Sequence, residues 1–126
     1  MTEAAHNRVL IVEDEIVVAM LIEDMLRDLD CATTAQASTA AEALLAAEDC
    51  DVDFALLDIN LGDGQTSFAA ASVLARRQIP YAWVTGYGVR GVPEAFRTAP
   101  VVDKPIDPGL FREVVEKLIA RGKPET

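Results

Sequence analysis

Reactive side chains follow apolar runs at four places in this chain. They are the carboxylates of Glu13, Asp14 and Asp58, the hydroxyl of Thr85 and the ammonium of Lys104. Two carboxylates about 4 Å apart repel by about 4 kcal/mol at an effective dielectric constant near 20, and a divalent cation relieves that repulsion. Oxygen ligands with no His or Cys nearby favour a hard ion, Mg²⁺ first. A carboxylate nucleophile, Mg²⁺, an ammonium and a hydroxyl form a set suited to phosphoryl transfer.

Five short strands are predicted to bring these residues to one place. The strands are Arg8–Val12, Cys31–Ala37, Phe54–Leu57, Tyr81–Val84 and Val101–Val102. The third is an uninterrupted apolar run, which indicates a strand buried on both faces, as in parallel sheets. The carboxyl ends of parallel strands point the same way, so the reactive groups at four of these ends converge on one edge. The second strand ends without a reactive group, which favours an outer position in the sheet.

Helical patterns alternate with the strands. The predicted helices run from Glu15 to about Leu29, from a Thr39–Glu42 capping box to about Asp49, from Ser67 to about Gln78, around Pro93–Arg97, and from an Asp107 cap to Gly122. In the first helix, a predicted core stripe consists of Val18, Leu21, Ile22, Met25 and Leu29. Five β-α units predict an α/β fold with a parallel sheet covered on both faces, although periodicity does not give the strand order.

Net charge and the apolar pattern disfavour several kinds of partner and location. The formal charge of −10 disfavours nucleic acid and anionic membranes as partners. No signal-peptide pattern and no apolar run of about 20 residues are visible. We therefore expect a cytoplasmic protein, with Cys31 and Cys50 as reduced thiols. We expect residues 1–126 to form one domain, with a core from about 8 to 120.

The reactive residues resemble a known motif set. Glu13-Asp14, Asp58, Thr85 and Lys104-Pro105 are similar to the motifs of the response regulator receiver domains of two-component systems, and the resemblance runs from about Arg8 to Ala120. It implies a flavodoxin-like, doubly wound (βα)5 three-layer sandwich with sheet order 2-1-3-4-5. It also implies a signalling phosphoacceptor that assists its own phosphorylation and dephosphorylation, rather than an enzyme.

The resemblance assigns a role to each residue. Asp58 would accept a phosphoryl group from a phosphohistidine of a histidine kinase or histidine phosphotransfer protein. The Mg²⁺ ligands would be Asp14 and Asp58 directly, Glu13 mostly through water, and the backbone carbonyl of Asn60. Lys104 would pair with the phosphoryl group, and Thr85 would hydrogen-bond to it. The Lys104–Pro105 peptide is expected to be cis, as is usual in the family.

Four features depart from the usual family pattern. Val101 stands where receivers usually have a Phe or Tyr switch residue, and Gly62 stands where many have Pro. Val84–Gly88 is a partial match to variant receivers with a Phe-Ala-Thr-Gly-apolar-Tyr motif, so Tyr87 is either a substitute switch residue or a fixed surface aromatic. The chain ends after the last helix, which predicts a stand-alone receiver. With Val101 in place of the aromatic and no effector domain expected, the signal is predicted to leave through the Thr85–Gly91 loop and the faces beside it.

Two other motifs are disfavoured. Gly86–Gly91 matches G-x-G-x-x-G, but Pro93 follows closely and no strand-acid pattern completes a dinucleotide-binding unit. Asp58-Ile59-Asn60 is similar to the D-x-D nucleophile of haloacid-dehalogenase-like phosphatases, but Asn60 removes the second acid and the motif does not lie on the first strand.

The first helix offers a predicted docking surface. The seven residues Ile16–Ile22 contain no polar side chain, more than one buried stripe needs. Ile16, Ala19 and Met20 are predicted to form an exposed apolar patch near the reactive residues; ordinary core packing is the alternative. Receivers dock helix one on the helical bundle that carries the phosphohistidine, so the kinase or phosphotransfer protein is expected here.

The sequence thus predicts a stand-alone receiver that is phosphorylated on Asp58 in a Mg²⁺-dependent reaction. It would signal in a phosphorelay by binding a further protein. The alternative is a non-phosphorylated, receiver-like interaction module in which the acidic set is vestigial.

Overall fold

Five strands alternate with four α-helices in the computed structural model, which describes residues 7–122. The strands are β1 (Asn7–Val12), β2 (Cys31–Ala37), β3 (Phe54–Leu57), β4 (Tyr81–Thr85) and β5 (Val101–Asp103). The helices are α1 (Ile16–Asp28), α2 (Ala40–Asp49), α3 (Phe68–Arg76) and α4 (Pro108–Gly122). Among the described residues, no helix has the length and apolar character needed to cross a membrane.

The strands form one parallel sheet in the order β2-β1-β3-β4-β5. This confirms the predicted flavodoxin-like architecture, including the outer position of β2. Val12 pairs with Leu57, and Thr85 pairs with Asp103, so the carboxyl ends of neighbouring strands lie level with one another.

Two apolar clusters cover the two faces of the sheet. Successive side chains of a strand point to opposite faces, so Leu10 and Leu57 join the cluster under α2 and α3, while Ile11 and Leu56 join the one under α1 and α4. All four residues of β3 are buried. Burying each large aliphatic side chain contributes about 1.5–3 kcal/mol, so the apolar pattern of the central strands accounts for the layered fold.

The segment between β4 and β5 contains two short 3₁₀ turns, Val89–Gly91 and Glu94–Phe96, and no α-helix. The second of them is the short helix predicted around Pro93–Arg97. Glycine at three nearby positions and a proline break helical backbone, and Gly88 adopts a positive φ of 65°. The fourth of the predicted β-α units therefore has no α-helix.

The buried face of α1 also differs from the predicted stripe. Ala19, Ile22 and Leu26 are its buried residues, whereas Leu21 is 47% exposed. The buried residues and the predicted stripe both follow helical spacing, so the sequence pattern alone does not decide which face is buried. The inclusion of Leu21 in the core and of Ala19 in an exposed patch is therefore wrong, while Ile16 and Met20 are exposed as predicted.

Two predicted helix caps are present. Thr39 Oγ1 accepts a hydrogen bond from the backbone N–H of Glu42 at the start of α2, at 3.1 Å. Asp107 Oδ1 accepts from the backbone N–H of Gly109 at 3.2 Å, with Pro108 as the first residue of α4. These caps satisfy backbone groups that the helix leaves unpaired.

Candidate functional site

The carboxyl ends of four strands carry the predicted residues to one edge of the sheet. Glu13 follows β1, Asp58 follows β3, Thr85 ends β4 and Lys104 follows β5. The backbone N–H of Asp58 donates to Val12 O at 2.8 Å, and that of Lys104 donates to Thr85 O at 3.0 Å. The sheet ladder thus continues one residue into the site and fixes where these side chains begin.

Lys104 connects the acidic residues. Its Nζ lies 3.0 Å from Glu13 Oε1, 3.3 Å from Asp58 Oδ2 and 3.5 Å from Glu15 Oε1. Glu15 was not among the predicted site residues, although it directly extends the Glu13-Asp14 pair. The ammonium therefore faces three carboxylates, one of them on the exposed side of the cleft.

Burial sets the protonation of these groups. Removal from water, together with repulsion from Asp58, raises the pKa of Glu13 to about 7. Burial also raises the pKa of Asp58, against the attraction of Lys104. Burial works to lower the pKa of Lys104, but its contacts with Glu13 and Asp58 outweigh that effect and raise it. The lysine stays charged, while the two buried carboxyl groups retain repulsion that a single ammonium does not remove.

The acidic residues fit a hard divalent cation. Glu13, Asp14 and Asp58 each offer a carboxylate oxygen within 4.8 Å of the others. Glu13 Oε1 is buried, and its ionic partner is Lys104 Nζ at 3.0 Å. Asp14 is exposed and leaves the cluster open to solvent. An all-oxygen set of three close carboxylates, whose repulsion one ammonium does not remove, matches the ligand chemistry of Mg²⁺.

A cleft of about 360 Å³ lies over this cluster. Its lining consists of Asp14, Glu15, Asp58, Asn60, Gly62, Gly86, Tyr87 and Lys104. Gly62 has a φ of +89°, and a Cβ there would lie 3.5 Å from Asp14 Oδ2. Glycine is needed at this turn for its backbone conformation, in place of the proline of many receivers.

Tyr87 stands at the mouth of the cleft. It is 61% exposed, and its Oη lies 3.4 Å from Asn60 Nδ2, which donates to it. A Cβ at position 91 would lie 2.6 Å from Tyr87 Cβ, so the ring position depends on Gly91. Tyr87 was predicted to be either a substitute switch residue or a fixed surface aromatic, and both alternatives remain predictions.

Thr85 is fully buried at the end of β4. Its Oγ1 accepts a hydrogen bond from the backbone N–H of Tyr87 at 3.2 Å, which leaves the hydroxyl proton for another acceptor. The Lys104–Pro105 peptide that follows β5 is cis, as expected.

Ser67 contacts the site from a position that the sequence did not single out. Its hydroxyl donates to the backbone carbonyl of Asp58 at 2.5 Å. A serine just before an apolar helical run is typical of an ordinary N-cap, so its residue type carried no signal of this contact.

The sheet order and the acidic edge together define a receiver-type α/β protein. Residues 9–116 match the response regulator receiver domain family, and the chain belongs to that family. Receiver domains are signalling domains of two-component systems; they bind Mg²⁺ at an acidic pocket and interact with histidine kinases or phosphotransfer partners. No protein with a curated description matches the chain.

Solved structures agree with this assignment. SdrG from Sphingomonas melonis Fr1 is 38% identical, over 95% of this chain and 98% of that one, with a TM-score of 0.77. The PhyR response regulator receiver domain from Erythrobacter litoralis is 27% identical over 96% and 95% of the two chains, with a TM-score of 0.81. A sensor histidine kinase receiver domain from Pseudomonas aeruginosa, with a magnesium ion in its active-site cleft, is similar in fold (24% identity, 92% and 99% coverage, TM-score 0.77).

Proposed function

We propose that this chain is a single receiver domain in which Asp58 accepts a phosphoryl group from a phosphohistidine. The donor is a histidine kinase or a histidine phosphotransfer protein, the reaction depends on Mg²⁺, and the phosphorylated domain signals by binding another protein in a phosphorelay. The observation that carries the proposal is the convergence of Lys104, Asp58 and the Glu13-Asp14 pair at an open cleft.

The transfer step needs an ionised Asp58. A carboxylate oxygen forms the new O–P bond as the N–P bond to the imidazole breaks, and the electron pair of that bond returns to the imidazole nitrogen. The ammonium of Lys104, 3.3 Å from Asp58 Oδ2, favours the ionised carboxylate against the effect of burial. The position of Asp58 in the lining of the open cleft supports access by a phosphohistidine ring.

The metal-binding residues in this proposal are Glu13, Asp14, Asp58 and the backbone carbonyl of Asn60, with Glu13 acting through water. Mg²⁺ held there would supply charge neutralisation at the phosphoryl oxygens. The closeness of the Glu13, Asp14 and Asp58 carboxylates supports this assignment, because their mutual repulsion costs free energy that a divalent cation relieves.

Lys104 and Thr85 are proposed to hold the transferred group. Once Asp58 carries the phosphoryl group, the Lys104 ammonium has an oxygen of that group as its new ionic partner. The Thr85 hydroxyl, whose oxygen accepts from the N–H of Tyr87, donates its proton to a second oxygen. Thr85 is buried at the end of β4, and the backbone N–H of Lys104 donates to Thr85 O at 3.0 Å, which supports a fixed geometry.

The partner is proposed to dock on α1. Ile16, Val17, Met20 and Leu21 are exposed on one side of this helix, and we call them the α1 patch. A groove of about 250 Å³ connects the patch to the site; its lining includes Ile16, Met20, Glu13 and Asp14. A helix of the phosphohistidine-bearing bundle packed on the patch would place the histidine near Asp58. Ala19 supports the patch from below, because it is buried.

Acetyl phosphate tests the phosphoacceptor without any partner protein. Wild-type protein incubated with acetyl phosphate and Mg²⁺ should gain the mass of one phosphoryl group, measured by intact-protein mass spectrometry. Asp58→Asn should gain none, and EDTA should abolish the gain in wild type. A folded wild type that gains no mass with Mg²⁺ would reject the proposal and favour the non-phosphorylated interaction module.

A further inference from the structure

The Ser67 side chain does not cap the helix that follows it, as a serine at this position usually does. It directly precedes α3, where a serine ordinarily accepts a hydrogen bond from an N–H of the first helical turn. The Ser67 side chain makes no such bond. Its hydroxyl instead donates to the backbone carbonyl of Asp58 at 2.5 Å, and the residue is only 1% exposed, so water does not compete for this contact.

The contact closes the base of a loop that belongs to the cleft. The backbone N–H of Ser67 donates to Ile59 O at 3.0 Å, beside the hydroxyl contact to Asp58 O. Above this base, Asn60 and Thr66 form an antiparallel bridge, and the loop is crossed by hydrogen bonds from Leu61 N to Gln65 O and from Gln65 N to Gly62 O, both 2.9 Å. Residues 59–66 thus form a compact loop that Ser67 ties to the end of β3.

This loop carries two members of the cleft lining, Asn60 and Gly62. Asn60 Oδ1 accepts from the backbone N–H of Gly62 at 3.0 Å, and Asn60 Nδ2 donates to Tyr87 Oη, so the Asn60 side chain is engaged within the loop and across the cleft. Its backbone carbonyl is the part proposed to face Mg²⁺. The carbonyl and carboxylate of Asp58 belong to one residue, so a group that fixes the carbonyl also restricts the carboxylate.

We propose that Ser67 is a positioning residue for the metal site: its hydroxyl fixes the backbone of Asp58 and, with it, the spacing between the Asp58 carboxylate and the Asn60 carbonyl. This inference rests on the proposed function, because it assigns Ser67 to the same Mg²⁺ site. Groups that orient metal ligands through hydrogen bonds typically change metal affinity by about tenfold or more when they are removed.

Titration calorimetry with Mg²⁺ alone tests the inference without any phosphorylation. Ser67→Ala removes the hydroxyl but no helix cap, since the side chain caps nothing. Its Mg²⁺ affinity should fall about tenfold. Ser67→Thr, which keeps a hydroxyl, should bind Mg²⁺ within about threefold of wild type, a difference below one ordinary hydrogen bond.

Thr39→Ala is the matched control, because Thr39 does cap its helix. That variant should lose stability in urea while its Mg²⁺ affinity stays at the wild-type value. In the acetyl phosphate reaction, Ser67→Ala should need about tenfold more Mg²⁺ for half-maximal rate and should approach the wild-type rate at saturation.

The outcomes separate the two proposals. If Ser67→Ala binds Mg²⁺ as tightly as wild type, the positioning role is rejected and the proposed function stands. If wild type binds Mg²⁺ but is not phosphorylated, the proposed function is rejected and the affinity shift still decides the role of Ser67. If wild type binds no Mg²⁺, both are rejected. Should Ser67→Ala not fold in EDTA, Ser67→Cys, with a similar volume and a weak donor, takes its place and should also bind Mg²⁺ more weakly than wild type.

Discussion

At the scale of single residues, the site is under electrostatic stress in the metal-free protein. Glu13 is buried beside Asp58, and the single ammonium of Lys104 forms ion pairs with both carboxyl groups. The sequence identified these residues because each follows an apolar strand, and strand ends of a parallel sheet meet. It could not identify Ser67, because only the fold shows that its hydroxyl turns away from α3 toward Asp58.

The raised pKa of Glu13 predicts a pH dependence of stability in EDTA. A carboxyl group whose pKa is about 7 in the folded protein and 4.5 otherwise binds its proton more tightly when folded, so it stabilises the protein at low pH. That stability is lost as the pH rises through 7. The free energy of unfolding should therefore fall by about 2 kcal/mol between roughly pH 5.5 and pH 8.

Urea unfolding at those two pH values measures the effect. The raised pKa of Asp58 acts in the same direction, whereas Lys104 titrates above this window. Glu13→Gln has no titrating group at this position and should show a much flatter dependence. A wild type whose stability is constant or rises over this range would contradict the prediction.

At the scale of elements, the fold was predictable where pattern and packing agree. The apolar runs of β1, β3 and β4 specify buried parallel strands, and all five strands lie close to their predicted bounds. The buried face of α1 was not predictable, because an almost wholly apolar half-helix allows more than one stripe. The short helix near Pro93 was predicted at the right place, but its 3₁₀ form and its anchor were not, because that anchor is a tertiary contact.

That anchor is Phe96. Its ring stacks on Phe68 at 5.4 Å and meets Trp83 edge-on at 5.9 Å, and its carbonyl accepts from Trp83 Nε1 at 3.2 Å. Phe96→Ala should lower the free energy of unfolding by about 2 kcal/mol, less than for a fully buried ring. The emission of Trp83, the only tryptophan of the chain, should shift to longer wavelength as water enters. Phe96→Leu should cause a smaller change in both, and unaltered emission from Phe96→Ala would show that the ring does not shield Trp83.

The α1 patch predicts a difference between phosphodonors. Met20 is 58% exposed, and Met20→Glu should slow transfer from the cognate kinase or phosphotransfer protein about tenfold, as expected for loss of a central interface contact. Phosphorylation by acetyl phosphate should stay within about twofold, since about 0.4 kcal/mol lies within ordinary surface effects. Leu45→Glu on α2, where Leu45 is 59% exposed, is the control for a surface charge and should alter neither reaction. An equal loss with both donors would exclude docking through this patch.

At the scale of the whole molecule, the two ends of the sheet differ in how their charges are satisfied. At the amino end, the backbone N–H of Arg8 donates to Asp53 Oδ2 at 2.7 Å, and its side chain pairs with Asp53 at 3.2 Å and Asp51 at 2.9 Å. Hydrogen bonds to Asp53 and then Asp51 raise the pKa of Arg8 above its already high range. At the carboxyl end, buried acids exceed the nearby ammonium. Functional sites often keep such unfavourable arrangements, which the rest of the fold must offset.

Two substitutions should therefore affect stability and function in opposite ways. Asp58→Asn removes a buried carboxyl group whose pKa is raised, so in EDTA near pH 8 it should increase the free energy of unfolding while abolishing phosphorylation. Arg8→Met breaks the ion pairs at the opposite end and should lower the urea midpoint, with the acetyl phosphate rate and Mg²⁺ affinity unchanged. Urea unfolding, calorimetry and intact-protein mass spectrometry on the same preparations measure all three quantities. If Asp58→Asn is less stable than wild type under these conditions, the acidic residues at the carboxyl end of the sheet stabilise the metal-free protein. The inferred difference between the two ends of the sheet is then wrong.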